Sequence, residues 1–100
     1  MDVATLKARI DARGAFVVDV RTPGEFAQGH VPGAVNIPLQ ELKARIGELE
    51  PHRSEDFAVI CAVGGRSAAA VDYLRSQGFD KVVNVVGGTK AWVQAGYPVE

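Results

Sequence analysis

Four short runs rich in β-branched residues alternate with helix-spaced stretches, and nearly every glycine and proline falls between them. This alternation constrains the fold more than any other feature, because strands separated by helices pair in parallel through crossover connections. The runs are residues 16–20, 34–37, 56–61 and 81–86. Ahead of the first, Val3, Leu6 and Ile10 recur at helical spacing, with Gly14 as the stop. Thr22-Pro23-Gly24-Glu25 combines a capping threonine, a proline suited to the first helical position and the glutamate of a capping box. Leu39, Leu42, Ile46 and Leu49 mark one face of a further helix. Another is predicted from Ser67 to Gln77, stopped by Gly78. A last one opens at Gly87-Gly88-Thr89 and runs through Trp92, whose indole is expected in the core. The reading is an α/β fold. It has a mostly parallel central sheet of four to five strands, helices on both faces, and a single domain over residues 1–100.

A chain of 100 residues can bury one core without disulfides or metals. Its content, 47% hydrophobic and 23% charged, is that of an ordered globular protein. The net charge of -1, with both signs interspersed, leaves no electrostatic footprint for nucleic acid or an anionic membrane. No apolar stretch approaches the length of a membrane span. Residues 1–7 lack the basic and apolar regions of a secretory signal. One cysteine cannot form an internal disulfide, so a reducing cytoplasm is the expected compartment. His30, His52 and Cys61 lie far apart and show no zinc spacing, and Gly87-Gly88 lacks the dinucleotide-binding fingerprint. Neither a metal nor a cofactor is expected.

The chemistry concentrates at Cys61. It ends an apolar run and precedes Ala62-Val63-Gly64-Gly65-Arg66-Ser67, which reads as strand, tight loop and helix start. A thiol at that junction faces the amino end of a helix, where N–H groups have no intrahelical partner and the dipole is positive. Both favour a thiolate. Glycines let the loop curl so that several N–H groups converge on one anion. Arg66 opposes the helix dipole and needs a partner, either the sulfur anion or a carboxylate such as Asp19 or Glu25. Ser67 is expected to cap the helix, with donation to the cradle as the alternative. Asp19 and Arg21, at another strand end, are read as scaffold: Asp19 for loop N–H groups, Arg21 for an acid. Ligands in parallel α/β sheets bind beyond the carboxyl ends of strands. Those ends carry Asp19–Arg21, Cys61 and Gly87-Gly88. His30 invites a Cys–His dyad reading, which the cradle makes unnecessary. His52 is expected in solvent.

Four segments in order carry a resemblance: Asp19-Val20-Arg21; Glu25-Phe26 with residues 29–38; Cys61 to Ser67; and Gly87-Gly88 with Trp92, Gly96 and Pro98. Together they resemble a rhodanese-like sulfurtransferase domain over nearly the whole chain. The resemblance implies the rhodanese fold, Cys61 as nucleophile, and residues 61–66 as the active-site loop. It also implies sulfane sulfur moved from thiosulfate or a persulfide donor to a thiol or cyanide acceptor through a Cys61 persulfide. The expected partners are a small sulfur donor and a thiol acceptor, or a protein that carries sulfur. A non-enzymatic module that binds a partner or senses reactive sulfur is the alternative. The spacing Cys-x4-Arg is one residue shorter than the Cys-x5-Arg of related phosphatases, which favours sulfur over phosphoryl transfer. Many members place Arg or Lys directly after the cysteine. Ala62 and Val63 stand there instead, so a doubly charged donor should bind less well than a persulfide on a protein or small thiol. Members often begin with an edge strand, and here only residues 1–3 precede the first helix, so that strand should be absent or vestigial.

Overall fold

The computed structural model describes residues 1–100. Helix α1 (Val3–Arg13) is capped by Asp2, whose carboxylate accepts the Thr5 N–H at 2.8 Å. Strand β1 (Val17–Asp19) leads to α2 (Pro23–Ala27), which starts with the capping box formed by Thr22 and Glu25. Strand β2 (Val35–Asn36) precedes a segment containing α3 (Leu42–Arg45). Then come β3 (Ala58–Ile60), α4 (Gly65–Ser76), β4 (Val83–Asn84) and α5 (Gly88–Gln94). The sheet order is β2–β1–β3–β4, and every pair is parallel. The register sets Val18 beside Val35 and Val59, and Val59 beside Asn84.

Alternation along the strands divides the core in two. Val18, Val20, Val59 and Cys61 face α3 and α4, packing with Leu42, Ala70, Val71 and Leu74. Val17, Ala58 and Ile60 face α1 and α5, packing with Leu6 and Trp92. Trp92 is fully buried, and its indole N–H reaches the Pro98 carbonyl at 2.7 Å. Sheet faces covered on both sides explain why the strands are apolar runs rather than alternating ones.

The strands are shorter than the apolar runs that encode them. Beyond β1 the pairing continues for one residue, the Val20 N–H on the Ile60 carbonyl and the Leu39 N–H on the Val20 carbonyl, both at 3.0 Å, before the Asp19 carboxylate takes the Arg21 N–H at 3.0 Å. The expected helix through Leu39 and Leu49 is three pieces: a 3₁₀ turn (Leu39–Glu41), α3, and a 3₁₀ stretch (Ile46–His52). Leu39 and Leu42, like Ile46 and Leu49, are three apart, the repeat that a 3₁₀ helix aligns. Gly47 and Pro51 weaken any longer α-helix. His52 is not free in solvent: its ring stacks on Phe16 with centroids 3.7 Å apart and pairs with Glu55. No strand precedes α1. Met1 instead meets the edge of β4, its amino group on the Asn84 carbonyl at 2.6 Å and its carbonyl accepting the Val86 N–H at 2.8 Å.

Candidate active site

The connection from β1 leads to one side of the sheet and that from β3 leads to the other. A crevice therefore opens beyond the carboxyl ends of these central strands. Cys61 directly follows β3 there. The first turn of α5 closes over it, with the Thr89 N–H on the Cys61 carbonyl at 2.9 Å and the Lys90 N–H on the Ala62 carbonyl at 3.0 Å. Gly88 makes this approach possible: at φ +61°, a Cβ on it would lie 2.5 Å from the Cys61 carbonyl oxygen.

The cradle around the sulfur is built from main chain. Gly64 takes φ +113°, which turns its N–H onto Cys61 Sγ at 3.0 Å. The Ser67 hydroxyl lies 3.3 Å from the same sulfur. Burial by itself pushes the Cys61 thiol up. The Ser67 hydroxyl and the N–H groups of Ser67, Gly64 and Val63 together outweigh it, and the thiol is held below its ordinary value. Cys61 is 1% exposed, as a structural core cysteine would be. Its surroundings separate the two cases, since an inert core thiol is ringed by carbon and this one takes the Gly64 N–H at 3.0 Å and faces the Ser67 hydroxyl at 3.3 Å.

The two arginines point elsewhere. Arg66 forms a bidentate pair with Glu25, at 2.7 and 2.8 Å, tying α4 to α2. Chiefly through that contact, the Glu25 carboxyl is held down at about 2. Of the partners open to Arg66 in the sequence, Glu25 is the one it engages. Arg21 is buried against Asp19, Nη2 to Oδ2 at 2.8 Å, and also donates to the Gly29 carbonyl at 2.8 Å. Ser67 does not cap α4: the cap position is Gly64, and Ser67 lies fully buried in the first turn beside the sulfur. The mouth beside the loop is a depression of about 380 Å³ lined by Arg21, Ala62, Val63, Thr89, Lys90, Val93 and Gln94; Cys61 itself is not in its lining.

The family model for the rhodanese-like domain matches residues 2–95. The chain belongs to the rhodanese-like domain family. It is 37% identical over 100 residues to a sulfurtransferase of Allochromatium vinosum, covering 99% of this chain and 92% of that one. It is 41% identical over 73 residues to the thiosulfate sulfurtransferase PspE of Escherichia coli, covering 73% and 69%. The crystal structure of a rhodanese-related protein from Thermoplasma volcanium superposes with a TM-score of 0.89 at 42% identity, covering 100% and 95%.

In this rhodanese-like domain His30 takes no part in the cradle. Its ring stacks on Phe26 with centroids 3.6 Å apart, and Nδ1 meets the Phe26 carbonyl. A larger depression, about 550 Å³, opens at the opposite, amino-terminal ends of the strands. There Arg9 and Arg13 are already engaged by Asp56. Three residues at the site were not evident from sequence: Asn84, Thr89 and Lys90. Asn84 gave a signal, as the polar interruption of Val82-Val83-Asn84-Val85-Val86, an otherwise apolar strand.

Proposed function

We propose that this domain is a sulfurtransferase that carries sulfane sulfur on Cys61. The observation that carries the reading is that the Gly64 N–H, at 3.0 Å, and the Ser67 hydroxyl, at 3.3 Å, both meet the chain's single cysteine sulfur. The names of the relatives support sulfur transfer in general. In the first half-reaction the Cys61 thiolate attacks the outer sulfur of a donor. The donor's S–S bond breaks, and its inner group leaves with the electron pair, as sulfite from thiosulfate or as a thiolate from a thiol persulfide. In the second, an acceptor thiolate or cyanide attacks the outer sulfur of the Cys61 persulfide and releases the Cys61 thiolate. The scheme is ping-pong with a covalent intermediate, and the same N–H groups serve both sulfur anions.

The mouth favours a persulfide of a thiol over thiosulfate as donor. The two arginines at the site are neutralised, Arg66 by Glu25 and Arg21 by Asp19. Lys90 is the one cation lining the mouth without a carboxylate partner. Ala62, Val63 and Val93 add an apolar rim, with Val63 63% exposed. A dianion gains little there. The acceptor is a thiol, small or on a protein that carries sulfur.

A second reading, a module that takes up one sulfur and senses it, is favoured by the 1% exposure of Cys61, which slows a second reactant. Intact-mass spectrometry tests the main proposal. After a thiol persulfide, the folded protein should gain one sulfur atom, lose it to cyanide as thiocyanate, and gain nothing as Cys61→Ser. Thiosulfate should need a higher concentration. A folded protein that takes up no sulfur from either donor sinks the proposal. Uptake of one sulfur without catalytic thiocyanate formation moves the assignment to the sensor.

A further inference from the structure

The Ser67 hydroxyl carries one proton and faces three acceptors. Cys61 Sγ lies at 3.3 Å, the Gly64 carbonyl at 3.1 Å and Asn84 Oδ1 at 2.5 Å. Ser67 is fully buried, so no bulk water settles the competition. The Gly64 carbonyl is already taken, by the Ala68 N–H at 3.1 Å and by Asn84 Nδ2 at 3.4 Å. The proton therefore rests on Asn84, and the sulfur is left with main-chain donors. An anionic sulfur is a stronger acceptor than an amide oxygen, because hydrogen bonds to charged groups are about twice as strong. An amide can also reverse its role: rotated by half a turn, Asn84 presents its NH₂ to the Ser67 oxygen and leaves the hydroxyl proton free, giving up its own long bond to the Gly64 carbonyl at 3.4 Å.

We propose that Asn84 is a positioning residue that controls whether Ser67 donates to the catalytic sulfur. When Sγ is neutral, Asn84 Oδ1 holds the hydroxyl proton. When Sγ is a thiolate, the hydroxyl turns to it. In the persulfide the charge moves to the outer sulfur, Sγ is again neutral, and the proton returns to Asn84. The donor is thus present for the leaving thiolate of the second half-reaction and absent from the inner sulfur of the loaded state. This deepens the sulfur-transfer reading and rests on it for its use. The hydrogen-bond competition itself stands on the thiol–thiolate equilibrium alone.

That equilibrium is read by the pH dependence of iodoacetamide alkylation of Cys61. The charged groups around the site are the Arg66–Glu25 pair on α4 and α2, the Asp19–Arg21 pair at the end of β1, and Lys90 on α5. All are unchanged among the variants, so they cancel in the comparison. Asn84→Leu keeps the side-chain shape and removes the Oδ1 acceptor, while the Gly64 carbonyl stays engaged by the Ala68 N–H at 3.1 Å. Its alkylation rate at pH 6 should rise several-fold above the native protein. Ser67→Ala removes the donor, and its rate should fall about tenfold, the worth of one hydrogen bond to an anion. In the Ser67→Ala background, Asn84→Leu should have no effect. Asn84→Ala serves in place of the leucine variant if that one unfolds, as circular dichroism reports. The proposal is overturned if removing the amide leaves the profile unchanged or moves it to higher pH. It is equally overturned if the rise persists without the Ser67 hydroxyl. Sulfur loading of the native protein, measured by mass in parallel, tests the transferase reading separately from either result.

Discussion

Cys61 and Thr89 are both nearly buried, at 1% and 6% exposure, and meet that condition differently. Cys61 gathers donors. Thr89 uses its N–H on the Cys61 carbonyl but leaves its hydroxyl oxygen as the one buried side-chain polar atom with no partner. A hydroxyl buried without a partner costs on the order of 1–3 kcal/mol. Thr89→Val keeps the branched shape and discards the hydroxyl. It is expected to raise stability by about 1 kcal/mol, read as a higher urea midpoint at unchanged slope. A lower midpoint would mean that the hydroxyl is held after all.

The loop from Cys61 into α4 contains two adjacent glycines with different duties. Gly64 sits at φ +113°, where an L residue is strained whatever space surrounds it. Gly65 opens the helix at ordinary φ, and a Cβ on it would meet nothing within 4 Å. Gly64→Val is therefore expected to cost roughly 2 kcal/mol or more, since a β-branched residue resists positive φ most. It should also slow alkylation of Cys61, because the Gly64 N–H would swing off the sulfur. Gly65→Ala should keep the fold and gain a few tenths of a kcal/mol up to about 1 from helix propensity. Thermal melts and alkylation rates of the two variants check both expectations. Equal damage from both would show that the loop, rather than one φ angle, sets the cradle.

At the scale of the molecule, the Arg66–Glu25 pair joins residues 41 apart in sequence and ties the helix that carries the cradle to α2. Glu25 falls from an ordinary value of 4.5 to about 2 in the folded protein. A depressed carboxyl adds stability above its unfolded value and loses it as pH falls toward its folded one. The contribution should thus be complete above about pH 5 and vanish near pH 2. Both side chains are partly in solvent, at 39% and 33%, so its size is about 1 kcal/mol or less. Glu25→Gln retains the capping-box geometry and removes the charge. Urea unfolding should show native and variant proteins differing most at neutral pH and converging as the solution is acidified. A constant difference across that range would assign the effect to the cap and not to the ion pair.

The one-dimensional pattern sufficed for the α/β class, the four strands, the junction at Cys61 and the need for glycine beside it. Each of these follows from local rules: apolar period, capping chemistry and the φ angles that only glycine adopts freely. It also named Glu25 among the partners for Arg66, though not which partner would be taken. What it could not supply were the contacts made by distant segments meeting at one rim. The Asn84 amide on Ser67, the unpartnered Thr89 hydroxyl, the stacking of His52 on Phe16 and the broken helix after Pro38 all depend on which surfaces the parallel sheet brings together. Ser67 shows the division most clearly. Its sequence position suits a helix cap, but once Gly64 starts the helix the hydroxyl is carried inward to the sulfur, and only packing against β4 decides where its proton goes.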